Sequence, residues 1–457
     1  MNISLARETI GREEVSNADG ESATGHLDPP VVSRALGPDL ARAIAALLVV
    51  YLHAGVPYLS HPMPGLVWAT QDSSSRFVSA TFWTIELFIM PLFLLLAGYF
   101  AYRSWASGGG ANFIASRARR LLGPLLAAAI LLLPLDYYVW LTGWVIDGQL
   151  AADRLWKLKI PKSQREHLLG LSHLWFLHYV FLYCVVLAVA ARSRFLASLS
   201  RLVPAAVEHR RAAAALTLLI LAGWGTLILA PEVVFGFQHA FLPVPTKWLY
   251  SGTFFFGGLW IARQDPQWNA VNRWAVQLVS GGAVLAAAAV VLGQWAIERS
   301  DPSSLAFDIS VASRTVLATV TVTAAWCLSL GLIGVAHRLA PGLARSSVGT
   351  RLITMMAAAS FWIYLAHHPL VALLQIDTKL LFPQLSPLAK SLWVSALTVG
   401  CCLASYHAGL RLRARWRQPA SESLQQVSAE PIDHSEPAAA PSAYPLPSAA
   451  AAVRRAA

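Results

Sequence analysis

The chain has 457 residues, of which 56% are hydrophobic and only 13% are charged, about half the charged fraction of a soluble globular protein. Its net charge is +11, from 35 Lys and Arg against 24 Asp and Glu, and its mean hydropathy is +0.53. These values exclude a cytosolic enzyme, a disulfide-stabilised secreted module and a mostly disordered chain. They predict an all-α, polytopic integral membrane protein, solvated by membrane lipid.

The first stretch, 1–36, is polar and has no basic region leading into a short apolar core with a cleavage site. We therefore expect no cleavable signal peptide and predict a disordered cytoplasmic tail. A transmembrane domain is predicted over 37–412. The last stretch, 413–457, is basic at first and then rich in Ala, Pro and Ser, which predicts a second disordered cytoplasmic tail.

Ten apolar segments within this domain are long enough, or nearly so, to cross about 30 Å of hydrocarbon. Their approximate limits are 39–58, 78–102, 121–142, 174–191, 213–231, 248–262, 274–297, 313–336, 352–373 and 388–410. The sixth segment is short and depends on the sequence GTFFFGGLWIA. Ten spans place both termini on one side of the membrane.

One set of loops carries most of the arginines, which places that set, and both tails, in the cytoplasm. The opposite loop at 143–172 is also basic. Because loop charge explains the positive surplus and no basic soluble module is present, nucleic-acid binding is not expected. The four cysteines all fall in apolar runs and are interpreted as small hydrophobic residues.

The first span contains two ionisable residues, Arg42 and His53, which are eleven positions apart. On an α-helix this separation is about three turns plus 20°, so both lie on one face, about 16 Å apart along the axis. Ionisable groups inside spans usually face the bundle interior or a water-filled cavity. Arg42 is explained equally well as a cytoplasmic anchor, whereas His53 is predicted to be an intramembrane proton acceptor.

The second span places Glu86 at a depth close to that of His53. Glu86 is predicted either to orient His53 or to be a buried, neutral acid. Asp136 lies near the end of the third span, where a helix-end or loop contact is expected. Arg117 and Arg120 form an RxxR motif whose guanidinium groups suit phosphates, although topology alone also places arginines at this face.

Two further segments place polar side chains at the outer ends of spans. GLSHLWFLHY contributes His173 and Trp175 at the start of the fourth span, and SFWIYLAHHPLV contributes His367 and His368 near the end of the ninth. Taken singly, each of these side chains would more often be an interfacial residue than a catalytic one. Together with the arginines at the opposite face, they predict an anionic ligand at the inner side and a proton-transfer site deeper towards the outside.

Most of the 17 tryptophans, including Trp68, Trp140, Trp144 and Trp156, are predicted to lie in aromatic belts at the membrane interfaces. The sequence contains no glycine-rich phosphate loop, no GxSxG motif and no metal-ligand spacing, so no metal site is expected.

The chain resembles the membrane-bound acyltransferase 3 family and, within it, the glucan biosynthesis protein C branch. The matching residues are Asp39–Leu–Ala–Arg42 followed by His53, MPLFLLLAGYFAY at 90–102, the RxxR pair, SHLWFL at 172–177 and ASFWIYLAHHPL at 359–370. The branch usually carries an arginine and a serine in its FRMPLFFLLSGY run. This chain has Ile89 and Ala97 there instead.

The resemblance implies a multi-pass enzyme of the bacterial inner membrane with no bound cofactor and with acyl-CoA as cosubstrate. It would pass succinyl or acetyl from cytoplasmic acyl-CoA to a hydroxyl of a periplasmic glucan or another extracytoplasmic carbohydrate. His53 matches the essential histidine, Arg42 its paired arginine, and Arg117 and Arg120 the pair that contacts the donor phosphates. Either His53 takes the proton of the acceptor hydroxyl, or an acyl-histidine forms.

A proton-coupled transporter or flippase of a lipid-linked sugar is the alternative from another class, since it would use the same buried His and Glu as a proton relay. Transporters commonly have paired internal repeats, and the two halves of this sequence show none. A membrane scaffold or sensor is a third interpretation, and it should tolerate the loss of both Arg42 and His53.

Overall fold

The computed structural model describes residues 36–108, 110–157, 170–192, 205–238, 240–300 and 307–427, and its regular elements are all helices. The predicted N-terminal tail up to residue 35, the basic positions 159, 162 and 165, and the predicted C-terminal tail beyond Val427 lie outside these ranges.

The described residues form fourteen α-helices. In order they are α1 (Leu36–Gly55), α2 (Arg76–Gly108), α3 (Gly110–Arg117), α4 (Gly123–Ile146), α5 (Asp153–Lys157), α6 (Trp175–Arg192), α7 (Ala205–Leu229), α8 (Glu232–Phe235), α9 (Pro245–Gln264), α10 (Asn269–Arg273), α11 (Ala275–Arg299), α12 (Val311–Leu343), α13 (Ser347–Leu381) and α14 (Pro387–Val427). Short 3-10 turns follow α1 at Val56–Tyr58 and precede α6 at Ser172–Leu174, and a π-helical turn, Ala118–Leu122, joins α3 to α4.

Nine helical stretches in the described part of the chain are long and apolar enough to cross a membrane. They are Leu36–Tyr58, Arg76–Ser107, Asn112–Ile146, Ser172–Arg192, Arg210–Leu229, Ala275–Arg299, Val311–Leu343, Ser347–Leu381 and Pro387–Arg415. The prediction of an all-α, multi-pass membrane protein is confirmed. The sixth predicted span, 248–262, lies in α9, which is helical but is not among the nine, because its glycines, Ser251 and Thr253 make it less apolar.

Helix α9 packs directly against α2. A β-carbon at Gly98 would lie 1.9 Å from the carbonyl oxygen of Phe255, and one at Gly258 would lie 1.9 Å from that of Leu95. The two backbones therefore touch, which is the contact that small residues allow between helices in a membrane. Ten of the 20 residues of α9, including Ser251 and Thr253, are buried inside the protein, so its lower hydropathy costs little.

The segment 59–75, here called the connecting loop, joins α1 to α2 and is held by buried polar groups. Trp140 and Trp144 donate their indole N–H groups to the carbonyl oxygens of Val67 and Trp68, at 2.9 and 2.8 Å. Trp68, Trp140 and Trp144 are thus buried structural residues and not interfacial belt residues as predicted. Trp156, by contrast, is 86% exposed.

One ion pair attaches the same loop to α14, because Lys390 Nζ lies 2.7 Å from Asp72 Oδ2. A second ion pair joins Lys379 on α13 to Asp147 at the end of α4, with Nζ 2.6 Å from Oδ1. Thr70 of the loop donates a hydrogen bond to Oδ2 of this same Asp147. Lys390 is 1% exposed. A buried ammonium group needs such a partner, so the loop is firmly connected to α14.

The chain forms two compact units, one ending at Tyr406 and one beginning at His407. The predicted limit of the transmembrane domain at residue 412 lies within α14, which ends at Val427. The first unit contains every predicted site residue.

Candidate active site

A cavity of about 850 Å³ lies inside the first unit, between α1, α2, α6, α9 and α13. Helix α1 lines it with Arg42 near its first turn and with His53 near its last, so the cavity extends about 16 Å along this helix. The predicted site residues all line it, and they are Arg42, His53, Glu86, Arg117, Arg120, His173, Trp175, His367 and His368.

Three arginines line one end of the cavity. Arg103 lies on the last turns of α2 and donates to the Tyr99 hydroxyl at 3.0 Å, and Arg117 donates to the Phe100 carbonyl at 3.1 Å. Arg120 lines the same end, whereas Arg119 between them does not contribute to the lining. This end therefore presents a concentration of guanidinium groups, the side chain that suits phosphate oxygens best.

Four imidazole rings gather at the other end. The ring centroid of His53 lies 4.9 Å from that of His367 and 5.2 Å from that of His368, and His173 lies 4.5 Å from His368 in a stacked arrangement. We call His53, His173, His367 and His368 the histidine cluster. Residues from α1, from the 3-10 turn before α6 and from α13 build it, so only the packing of these elements brings the rings together.

Hydrogen bonds determine which nitrogen of each ring carries its proton. His53 Nδ1 lies 2.8 Å from the Val49 carbonyl, and His367 Nδ1 lies 2.9 Å from the carbonyls of Ile363 and Tyr364. A carbonyl oxygen only accepts, so Nδ1 is the donor in both rings and Nε2 keeps the lone pair. For His53 this leaves Nε2 as the basic and nucleophilic atom.

His173 has the opposite tautomer, and a proline explains why. Pro369 lies inside α13 and has no N–H, so the carbonyl of Leu365, four residues earlier, lacks its helical partner. His173 Nε2 donates to this oxygen at 3.1 Å. The lone pair of His173 is therefore on Nδ1, an atom that is fully buried with no hydrogen-bond partner in the described structure.

The carboxylate of the cluster is Asp136. It is 4% exposed, and its Oδ2 lies 3.1 Å from His368 Nδ1. The prediction of a helix-end or loop contact for Asp136 is therefore wrong, because this carboxylate lies inside α4 and contacts His368. Glu86 lines the same cavity as His53, and the cation that acts on it is Lys247 on α9, so its role as a partner of His53 or as a buried, neutral acid stays a prediction.

Lys247 is a cationic residue of the cavity that the sequence did not single out. Its Nζ lies 4.1 Å above the ring of Trp175 and 5.4 Å from the ring centre of Phe237. Lys247 lines the cavity, and no carboxylate of the described residues lies within 4.0 Å of its ammonium group. Aromatic faces stabilise an ammonium ion there, and Glu86, the carboxyl group that acts on it, lies beyond ion-pair distance, so the ammonium can still approach an anionic ligand.

Arg42 is held by α13 as well as by its own helix. Its guanidinium donates to the Ala357 carbonyl and the Ser360 hydroxyl, both at 3.3 Å, and pairs with Asp39 at 3.5 Å. A residue that served only as a cytoplasmic anchor would face lipid headgroups. Arg42 instead faces the cavity, together with Ser360.

Gln375 links His53 to the connecting loop, and this contact was also missed from the sequence. Its amide donates to the carbonyls of His53 and Ala54 at 3.0 and 3.1 Å, which satisfies oxygens left free at the end of α1. Its oxygen accepts from the Trp68 indole at 2.7 Å, and the Trp68 ring lies 5.9 Å from His53. No signal in the sequence pointed to it, because Gln375 lies two residues beyond the predicted ninth span, whereas α13 continues to Leu381.

Asp136, His173 and His368 each offer one ligand atom, and these atoms lie within 4.8 Å of one another. The rings of His173 and His368, however, are stacked at an interplanar angle of 18°. Lone pairs lie in the ring planes, so those of two stacked rings run side by side and do not converge on one ion. The arrangement fits a hydrogen-bonded proton-transfer group better than a metal centre.

A family model described as an acyltransferase domain, of the acyltransferase 3 type, matches residues 36–407. No curated protein and no solved structure matches the chain. The matched range contains the whole cavity and every residue of the histidine cluster.

Proposed function

The chain belongs to the acyltransferase 3 family, and on this basis we propose which reaction its cavity performs. The protein is a multi-pass membrane O-acyltransferase. We infer that it takes an acyl group from cytoplasmic acyl-CoA and transfers it to a hydroxyl of an extracytoplasmic carbohydrate. A bacterial inner membrane with both termini in the cytoplasm accommodates this direction if α9 crosses as a tenth span beside the nine apolar stretches, and the arginine-rich loops then lie inside.

One observation carries this proposal, namely that a single cavity contains arginines at one end and a histidine cluster at the other. Acyl-CoA has a phosphate-rich nucleotide at one end and a thioester at the other, joined by a long, flexible arm. The cavity matches this distribution of charge and reactivity. The long span between Arg42 and His53 lets the thioester reach the cluster while the nucleotide stays at the arginines.

The donor would bind through Arg117 and Arg120, with Arg103 adding a third guanidinium group. Bidentate hydrogen bonds from guanidinium to phosphate are strong and directional. Arg117 and Arg103 are each already oriented by one contact to α2, so both are partly organised before the donor arrives. Such preorganisation lowers the entropic cost of binding.

His53 is the proposed catalytic residue, because its Nδ1–H is held by Val49 and its Nε2 is left with a lone pair in the cavity. An imidazole in this state acts as a base or as a nucleophile towards the thioester carbonyl. Trp68 and Gln375 fix the backbone at the end of α1, because Gln375 bonds to the His53 carbonyl and Trp68 bonds to Gln375. The imidazole itself is oriented by its Nδ1 bond to the Val49 carbonyl, which favours a productive geometry.

We propose a glucan, as in the glucan biosynthesis protein C branch, as the acceptor, and we place it at the histidine cluster. Trp68, Trp175 and His173 supply aromatic surface and polar groups on that side. Aromatic rings suit the apolar faces of sugars, and the imidazoles suit their hydroxyl groups.

Succinyl is the acyl group that the charges of the cavity favour over acetyl. Ile89, which stands where the branch usually has an arginine, lines the cavity and is 2% exposed. Lys247 provides a cation on the facing helix instead. The distal carboxylate of a succinyl group would pair with it, whereas acetyl offers no such partner.

The proposal is tested by expressing His53→Ala in a host that lacks its own enzyme and measuring acyl substitution of periplasmic glucan and surface polysaccharide by mass spectrometry. We expect substitution to disappear, while membrane levels of the protein stay normal. His61→Ala is the matched control, since His61 lies outside the cavity and pairs with Glu298 at 3.0 Å. Unchanged substitution with normal expression of the His53 variant would refute the proposal.

A further inference from the structure

Asp136 and His368 form a buried pair directly behind the cavity. They are 4% and 5% exposed, and His368 Nδ1 lies 3.1 Å from Asp136 Oδ2. A carboxylate accepts, so His368 donates from Nδ1 and keeps its lone pair on Nε2. The ring is fixed between two flat neighbours, Trp140 at 5.2 Å and His173 at 4.5 Å, both stacked on it.

The four histidines of the cluster differ in whether their free nitrogen is accessible. Nε2 of His367 and Nδ1 of His173 are fully buried and have no partner in the described structure. Nε2 of His53 and Nε2 of His368 are not enclosed in this way, and both residues line the cavity. Two imidazoles therefore present a lone pair to the same space, and their ring centroids are 5.2 Å apart at an angle of 76°.

We propose that these two histidines divide the reaction: His53 accepts the acyl group, and His368, oriented by Asp136, is the general base that activates the acceptor hydroxyl. This inference rests on the proposed function and specifies its chemistry. Asp136 is then a positioning residue, because it acts through His368 and does not itself line the main cavity. The sequence leaves open whether an acyl-histidine forms, and the two accessible nitrogens favour that route.

In the first step, Nε2 of His53 attacks the thioester carbonyl carbon, a C–N bond forms, and the C–S bond breaks to release the CoA thiolate. His53 keeps its Nδ1 proton on the Val49 carbonyl and carries the positive charge of the acyl-imidazolium. In the second step, Nε2 of His368 removes the hydroxyl proton of the acceptor as its oxygen attacks the acyl carbon. The C–N bond breaks and neutral His53 is restored. The proton on His368 then passes to solvent, which supplies the proton taken up by the CoA thiolate released in the first step.

The geometry supports a separate base for the second step. Once His53 carries the acyl group, its Nε2 has no lone pair left to accept the proton of the acceptor. His368 is the neighbouring imidazole with an accessible lone pair, and Asp136 stabilises the imidazolium that forms when the proton arrives. Because Trp140 and His173 hold the ring on both faces, the lone pair remains directed while the acceptor enters.

The test separates acylation from transfer in purified full-length protein reconstituted in lipid nanodiscs. Succinyl-CoA and acetyl-CoA are the donors, and a soluble glucose oligosaccharide or, in its absence, water is the acceptor. Thiol release measures the first step, intact and peptide mass spectrometry detect acyl label on His53, and release of the label measures the second. The variants are His53→Gln, His368→Gln and Asp136→Asn, with His61→Gln as the control outside the cavity.

We expect His368→Gln to release one thiol per protein and to retain the label on His53, with transfer slowed by about 100-fold or more, the usual contribution of a general base. Asp136→Asn should slow transfer in the same way without slowing acylation. A merely structural role would reduce both steps together. His53→Gln should lose both steps, and His61→Gln should keep both.

Each failure has its own meaning. If His53→Gln reacts like the wild type, the proposed function itself is wrong. If His53→Gln is inactive but a folded His368→Gln either transfers at the wild-type rate or carries no label on His53, the inference is wrong and the proposed function stands. Normal transfer in Asp136→Asn would overturn the positioning role of Asp136. The transfer rate of this variant remains informative even if His368→Gln fails to fold.

Discussion

The carbonyl oxygen of Leu365 accepts a hydrogen bond from Nε2 of His173, across 192 positions in the chain, at 3.1 Å. The oxygen is available because Pro369 cannot donate to it. A proline inside α13 thus determines the tautomer of a histidine in the 3-10 turn before α6.

Substituting Pro369→Ala should separate stability from activity. The new N–H can bond to the Leu365 carbonyl and compete with His173, while the helix gains a regular hydrogen bond. We expect an unchanged or higher melting temperature in detergent, together with a transfer rate lowered by about tenfold, which corresponds to the loss of one hydrogen bond. Wild-type transfer in this variant would show that the His173 contact does not organise the site.

The arginine end should determine how tightly the donor binds. We expect Arg117→Gln and Arg120→Gln each to raise KM for succinyl-CoA by about tenfold or more, with little change in kcat, because each removes a charge-assisted hydrogen bond. Arg119→Gln is the matched control, since it removes the same charge between them but does not line the cavity. Equal effects from all three substitutions would indicate a general electrostatic role in place of a binding site.

Lys247 should determine the preference between acyl groups. We expect Lys247→Met to lower kcat/KM for succinyl-CoA by about tenfold or more and to change kcat/KM for acetyl-CoA by no more than a few-fold. The reason is that only succinyl has a carboxylate that pairs with Lys247. Lys247→Arg retains the cation and should keep most of the preference. If the wild type does not distinguish the two donors, or if Lys247→Met affects both equally, the proposed pairing is wrong.

The pair formed by Asp72 and Lys390 should make stability depend on pH in acid. Burial by itself would raise the pKa of Asp72, but hydrogen bonds from Lys390 and the Ser73 amide lower this pKa below its ordinary value of 3.8. Because the pKa of Asp72 is lower in the folded state than in the unfolded state, the ionised carboxylate contributes stability. This contribution is fully present at pH values above the pKa of the unfolded state. This contribution is lost as the pH falls from there through the folded pKa.

Asp72→Asn should therefore reduce stability at neutral pH, by about 3 kcal/mol if Lys390 is left as an uncompensated buried charge. Its melting temperature should also fall less between pH 6 and pH 3 than that of the wild type. Melting in detergent across this range measures both effects. The double variant Asp72→Asn, Lys390→Met should recover much of the loss, and a failure to recover would contradict the ion-pair explanation.

Much of the architecture was accessible from the sequence. Apolar runs of about 20 residues predict helices because backbone polar groups in lipid must bond within their own segment. Arg42 and His53 were correctly expected on one helix face, since that relationship depends on helix geometry alone, and both line the cavity. The sixth predicted span shows the limit of this reasoning. Helix α9 is buried by its close contact with α2, and a helix that meets protein and not lipid need not be strongly apolar.

The partnership of the charged residues required the tertiary structure. Glu86 and His53 were expected at similar depth, but depth does not determine which groups a side chain meets, and the cation that acts on Glu86 is Lys247, which the sequence did not single out. Asp136 becomes the carboxylate of the site because α4 packs beside α13 and brings it to His368. Periodicity within one span thus determined the helices and the shared face of Arg42 and His53. The contacts between spans, which no single segment encodes, decided which acid serves which histidine.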